Sequence, residues 1–126
     1  MLEPIVVTTG IYDAIKDHVR RKRVTKQEET LLLEQLKHAK QVLRRDLPKD
    51  VVTVNRVITI KDHQDNTEQD YILVPTTKAK VKKNKHSILS EIALATVGYK
   101  VGDVIDYPFP SGERKIEILK VEPFEA

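Results

Sequence analysis

The sequence predicts an α+β protein, with a short N-terminal antiparallel helical hairpin followed by an antiparallel β-sheet domain carrying one short helix. Three observations carry this. Apolar residues recur at helical spacing as far as Leu43. From Val51 the period changes to two. The chain then ends in two apolar-rich runs joined through Pro110, Ser111 and Gly112, a strong turn signal.

Residues 10–23 read as the first helix. Ile11, Ile15 and Val19 fall on one face, and Thr8 or Thr9 can cap its start. The basic run Arg20, Arg21, Lys22, Arg23 ends it. The second helix opens on Thr25 and Glu28, a Thr-x-x-Glu capping box in which each side chain satisfies a backbone N–H at the helix start. Leu32, Leu36, Ala39 and Leu43 continue as a narrow apolar seam, with Leu31 and Leu33 widening it. Pro48 stops the helix, because it has no N–H and disfavours helical geometry at Leu47. A helix of that extent makes a rod of roughly 30 Å. Folded back on the first helix, it forms a hairpin with the basic run at its tip. The seam is expected to pack within the chain, with pairing to a second copy as the alternative, so the protein is a monomer or a weak dimer through this arm.

Val52, Val54, Ile58 and Ile60 share one face of a strand, interrupted by Arg56. Asp62 to Asp70 is polar and reads as a turn, and Tyr71 to Val74 as a second strand ending at Pro75. Residues 76–86 read as a loop rich in lysine. Ser90 is an expected N-cap for a helix from Glu91 to Val97, with Glu91 near the positive end of its dipole and Gly98 as the C-terminal cap. Val104 to Phe109 and Arg114 to Val121 are the last strands. The division expected from this is 1–48 for the helical hairpin and 49–126 for the sheet domain.

Composition narrows the function classes. The chain has 126 residues, 33% of them charged, and a net charge of +3. The cationic excess lies in residues 1–50, and it is too small to identify a nucleic-acid binder by itself. The absence of cysteine excludes disulfides, cysteine-ligated zinc and thiol catalysis. No apolar run approaches the ~20 residues needed to span a bilayer, and Glu3, Asp13 and Asp17 break up the start of the chain, so no membrane or secretory segment is expected and a cytoplasmic location is. His18, His38, His63 and His86 have no metal-ligand spacing. Asp62, Asp65, Glu68 and Asp70 lack the glycine and terminal glutamate of a calcium loop. No catalytic, metal or cofactor-binding residue is therefore expected. Two basic clusters stay open. Lys78, Lys80, Lys82, Lys83 and Lys85 are either a solvated loop or an electrostatic contact, with no aromatic interleaved for base stacking. The run Arg20–Arg23 is either a solvated helix end or a contact with a partner protein or nucleic acid.

The segment Val51 to Val121 resembles the C-terminal domain of the GreA/GreB transcription factors. The residues that carry this are Val52-Thr53-Val54-Asn55 with Ile58, Ile60 and Asp62, the run Tyr71-Ile72-Leu73-Val74, Ser90, Ala93 and Leu94, and Gly98-Tyr99-Lys100-Val101-Gly102-Asp103. Pro110 and Gly112 match the family's hairpin turn, and Leu47-Pro48 with Asp50-Val51-Val52-Thr53 resembles the short-armed Rnk-like branch. The resemblance implies an FKBP-like sheet domain, docking on RNA polymerase at the rim of the secondary channel, and Ser87, Ser90, Glu91 and Ile92 as contact residues. Ser90-Glu91 stands where the family has Ser-Pro. Cleavage factors of the family carry acidic residues at the tip of a long coiled coil, where they help hold Mg²⁺. Here the tip carries Arg20, Arg21, Lys22 and Arg23, and the nearest acids, Glu28 and Glu29, are explained by capping. The expectation is a non-enzymatic modulator that does not stimulate transcript cleavage. Prolyl isomerase activity is not expected, because such sites are apolar pockets walled by aromatics, and this chain has no Trp and two Phe. The alternatives are a divergent cleavage factor and a nucleic-acid binder using the basic clusters.

Overall fold

The structure is a computed structural model that describes residues 4–124. It opens with a three-residue strand, β1 (Val6–Thr8), which leads directly into α1 (Thr9–Arg20). Thr8 caps α1, its Oγ1 accepting from Ile11 N, and Ile11, Ile15 and Val19 are all buried, as their spacing predicts. A short turn leads to α2 (Lys26–His38), and here the capping box is complete: Glu28 N donates to Thr25 Oγ1 and Thr25 N to Glu28 Oε1, each at 3.1 Å.

The second helix is shorter than expected. It stops at His38, because the next residues form β2 (Lys40–Val42), which pairs in parallel with β1. Lys40 N donates to Ile5 O at 2.8 Å, a partner the helix could not offer. Leu43 thereby leaves the seam and is 59% exposed, whereas Leu32 and Leu36 are buried inside the chain. A turn of 3₁₀ helix at Arg44–Asp46 follows.

The main sheet consists of β3 (Arg56–Asp62), β4 (Thr67–Val74), β5 (Lys85–Ser87), β6 (Val104–Phe109) and β7 (Gly112–Pro123), in the order β5-β4-β3-β7-β6. Four strands are antiparallel as expected. The fifth, β5, overlaps the end of the segment expected to be a loop and adds to β4 in parallel. Two 3₁₀ turns, Thr76–Lys78 and Val81–Lys83, fold the rest of that segment. The first strand begins at Arg56 rather than Val51, because Asn55 adopts φ +62° and breaks the extended run. Val52 still reaches the core, its N–H bonded to Tyr99 O and its carbonyl accepting from Gly98 N. The β6–β7 hairpin turns on Pro110 and Ser111, with Phe109 paired to Gly112.

The short helix α3 (Glu91–Thr96) packs Ala93, Leu94 and Ala95 into the core. Gly98 follows it at φ +86°, and a Cβ there would lie 2.6 Å from Ile5 Cβ, so glycine lets the N-terminal segment approach. One continuous apolar cluster runs from Ile5 and Ile15 through Leu32 and Leu36 to Ile58, Leu73, Tyr107 and Ile118. The helices therefore lie against the sheet and share its core. Among the described residues no helix is long and apolar enough to cross a membrane.

Candidate functional site

The expected contact residues fall in two stretches far apart in sequence, and the fold brings Arg21, Lys22, Arg23, Ser87, Ser90 and Glu91 together, whereas Arg20 lines a separate groove with Asp13 and Leu33, and Ile92 one with Asp62 and Tyr71. Arg21 and Arg23 line the same groove as Ser87, Leu89 and Ser90, with Asp17, His18 and Thr76 completing its walls. A second groove continues from it, lined by Lys22, Arg23, Val24, Leu89, Glu91 and Pro110. The turn between α1 and α2 thus sits beside the segment that leads into α3.

A buried carboxylate positions the turn. Glu28 is 2% exposed, and while its Oε1 completes the capping box, its Oε2 accepts from Tyr107 Oη at 2.6 Å. Tyr107 is wholly buried on β6, and burial together with Glu28 raises its pKa. This bond ties the start of α2 to the sheet across 79 positions of sequence. Farther along α2, Gln35 donates to Tyr99 Oη. Burial and the nearby Asp103 push the Tyr99 phenol up to about 12.

The cations of the turn differ in how they are held. Arg20 and Arg21 both pair with Asp17, and Lys22 pairs with Glu29 at 3.1 Å. Lys22 adopts φ +59° to close the turn. Arg23 makes no ion pair among the described residues and is exposed. His18 lies beneath it, and burial and the Arg23 charge hold the imidazole below the ordinary histidine range.

On the opposite wall Ser87 is fixed, its Oγ bonded to Thr76 Oγ1 at 2.7 Å and accepting from Leu89 N. Ser90 takes N-cap backbone geometry, but its hydroxyl makes no cap bond. The buried Ser90 Oγ has no hydrogen-bond partner among the described residues, a correction to the expected capping role. Glu91 is exposed, while Ile92 is half-buried against the core.

Among the described residues no group of three His, Cys, Asp or Glu side chains is gathered to hold a metal. Asp62 and Asp65 instead pair with Arg114, at 2.6 and 3.0 Å. The groove presents cations and apolar walls, which suits recognition of another surface. Sequence reasoning named both walls but missed their contact and the Glu28–Tyr107 bond. No local signal marks that bond, because the neighbours of Glu28 in sequence, from Thr25 to Thr30, are all polar.

Residues 47–123 match the family described as "Transcription elongation factor, GreA/GreB, C-term". The chain is 38% identical over 86 residues to transcription elongation factor GreA of Clostridium botulinum strains Langeland and Okra, a match covering 68% of this chain and 54% of each relative. The chain thus spans about half the length of the curated relatives it matches. Among solved structures it is similar to a GreA/GreB factor from Nitrosomonas europaea, with a TM-score of 0.67 at 22% identity, covering 97% of this chain and 99% of that one. It is also similar to Gfh1 of Thermus aquaticus, with a TM-score of 0.52 at 15% identity, covering 96% and 99%. At these identities the structural matches carry the fold alone.

Proposed function

The chain belongs to the GreA/GreB family of transcription elongation factors, and we propose that it is a transcription modulator of the short-armed, Rnk-like kind that docks on RNA polymerase without stimulating transcript cleavage. The docking face is the groove between Arg21–Thr25 and Ser87–Ile92, at the rim of the polymerase secondary channel. In this reading residues 49–126 provide the docking surface and residues 1–48 set what the protein does there. The bound protein excludes longer-armed factors from the same channel mouth.

The observation that carries this reading is the state of the two acids nearest the tip. Both oxygens of Glu28 are used inside the fold, by Thr25 N and Tyr107 Oη. Glu29 is paired with Lys22. Holding Mg²⁺ needs carboxylate oxygens free to enter its coordination shell, and α2, with 13 residues, extends only about 20 Å.

Two measurements test the proposal together. In a binding titration with bacterial RNA polymerase core enzyme, the protein binds at physiological salt and displaces a cleavage-competent GreA. In stalled elongation complexes with Mg²⁺, RNA length stays unchanged at saturating protein. Absence of binding removes the docking reading. Mg²⁺-dependent shortening of the RNA that disappears in Glu29→Ala replaces it with a cleavage factor.

A further inference from the structure

At the other end of α1, about 18 Å along the helix from the basic turn, lies a cavity that the docking reading does not use. It has a volume of about 580 Å³ and is lined by Thr8, Gly10, Arg44, Thr53, Asn55, Arg56 and Lys78 on its polar side, and by Ile11, Leu47, Val54, Pro123 and Phe124 on its apolar side. Among the described residues no carboxylate lines it. We propose that this cavity is a binding site for a phosphate-bearing small molecule of nucleotide size.

Three features of the wall point to an anion. The first is the set of cations. Arg44 and Lys78 are exposed at the rim, and neither makes an ion pair among the described residues. Arg56 is fixed in place, with its Nη1 donating to Pro48 O at 2.8 Å and to Val51 O, which leaves the rest of its guanidinium fork for a ligand. Asp50 acts on Arg56 but does not line the cavity. The second is Thr53, which is 8% exposed, lines the cavity and has no hydrogen-bond partner for its hydroxyl among the described residues. Its Oγ1 is not sealed off from solvent, so it opens onto the cavity as a donor for a ligand oxygen. The third is the start of α1. Thr8 satisfies only Ile11 N, so the first-turn amides of Thr9 and Gly10 are the donors a helix start leaves over. A Cβ at Gly10 would meet nothing within 4 Å, so the approach to those amides is open.

The apolar side sets the rest of the ligand. Phe124 offers an aromatic ring, with Lys85 Nζ 5.5 Å from its centroid. An aromatic ring and several cations in one cavity suit a molecule with a flat heterocycle at one end and phosphate at the other. Lys78 thereby acquires a role that its place in a lysine-rich segment did not reveal.

The test is a titration of the ¹⁵N-labelled protein with ADP, inorganic phosphate, adenosine and a short single-stranded RNA. ADP is expected to shift the amides of Thr9, Gly10, Thr53 and Asn55, phosphate to shift the same amides more weakly, and adenosine to have little effect. The double variant Arg44→Glu/Lys78→Glu, altered only at exposed positions and checked by its dispersed spectrum, weakens ADP binding about tenfold or more. Arg23→Glu, at the far end of α1, leaves it unchanged. Three results overturn the proposal: no shift at these amides at about 5 mM ADP, well above the range of specific sites; equal affinity for adenosine and ADP; or a response to RNA alone.

Discussion

The turn Arg21–Thr25 and the segment Ser87–Ile92 line one groove, but the first is held by a single buried carboxylate and the second by the apolar core. On the turn the guanidinium and ammonium groups are exposed, and the anchor is Glu28, bonded to Tyr107. On the segment the neighbours Ile88, Ala93 and Leu94 are all buried, and the polar groups hang from a frame already fixed. Polar anchoring depends on one geometry, whereas packing spreads its contribution over many contacts. The two walls should therefore respond differently to substitution.

The largest effect is expected on the turn. Glu28→Ala removes the reciprocal half of the capping box, the acceptor for Thr25 N, and leaves the buried Tyr107 hydroxyl without a partner, which together cost about 3 kcal/mol. Tyr107→Phe removes the same bond but lets Glu28 keep its capping contact, and costs about 1–2 kcal/mol. Chemical denaturation of both single variants and the double variant gives the coupling between them. A cost below about 0.5 kcal/mol for Glu28→Ala, the level of an ordinary surface change, would mean that the turn is held by something else.

A smaller effect is expected from pH. Burial and the Arg23 charge lower the His18 pKa in the folded state. The unfolded chain then binds protons more readily than the folded one, so the contribution of neutral His18 is present above its ordinary value of 6.5 and is lost as pH falls through the depressed folded value. Thermal unfolding followed from pH 7 to below pH 6 should fall more steeply for the native chain than for His18→Gln. Identical slopes would remove His18 from the buried side of the groove.

The smallest effect on stability is expected at Ser90. Because its Oγ has no partner, Ser90→Ala should change stability by less than about 0.5 kcal/mol, or raise it slightly. A loss of more than about 1 kcal/mol in chemical denaturation would return Ser90 to a capping role.

What the sequence made legible was local. Ile11, Ile15 and Val19 gave the buried face of α1, Thr25 and Glu28 gave the start of α2, and Pro110 to Gly112 gave the final hairpin. The pairing of β1 with β2 was not legible, because three residues carry no period and their partner lies more than 30 positions away. That pairing is what ended α2 early and moved Leu43 out of the seam. β5 was hidden for the same reason, at the end of a run whose composition suggested a loop. The residues of the site were legible as types, a basic turn and a serine-led segment. Their contact was not, because it depends on the helices lying against the sheet, and the bond that fixes this joins residues 79 apart.

Photo-crosslinking tests the docking face most directly. A photoreactive residue placed at the exposed Glu91, beside the basic turn, is compared with one placed at the exposed Gln41 in β2, past the other end of α2. After irradiation with RNA polymerase core enzyme, the Glu91 position should yield a crosslink that Arg23→Glu diminishes, and the Gln41 position should yield none. A crosslink from Gln41 with none from Glu91 would place the docking face elsewhere on the molecule.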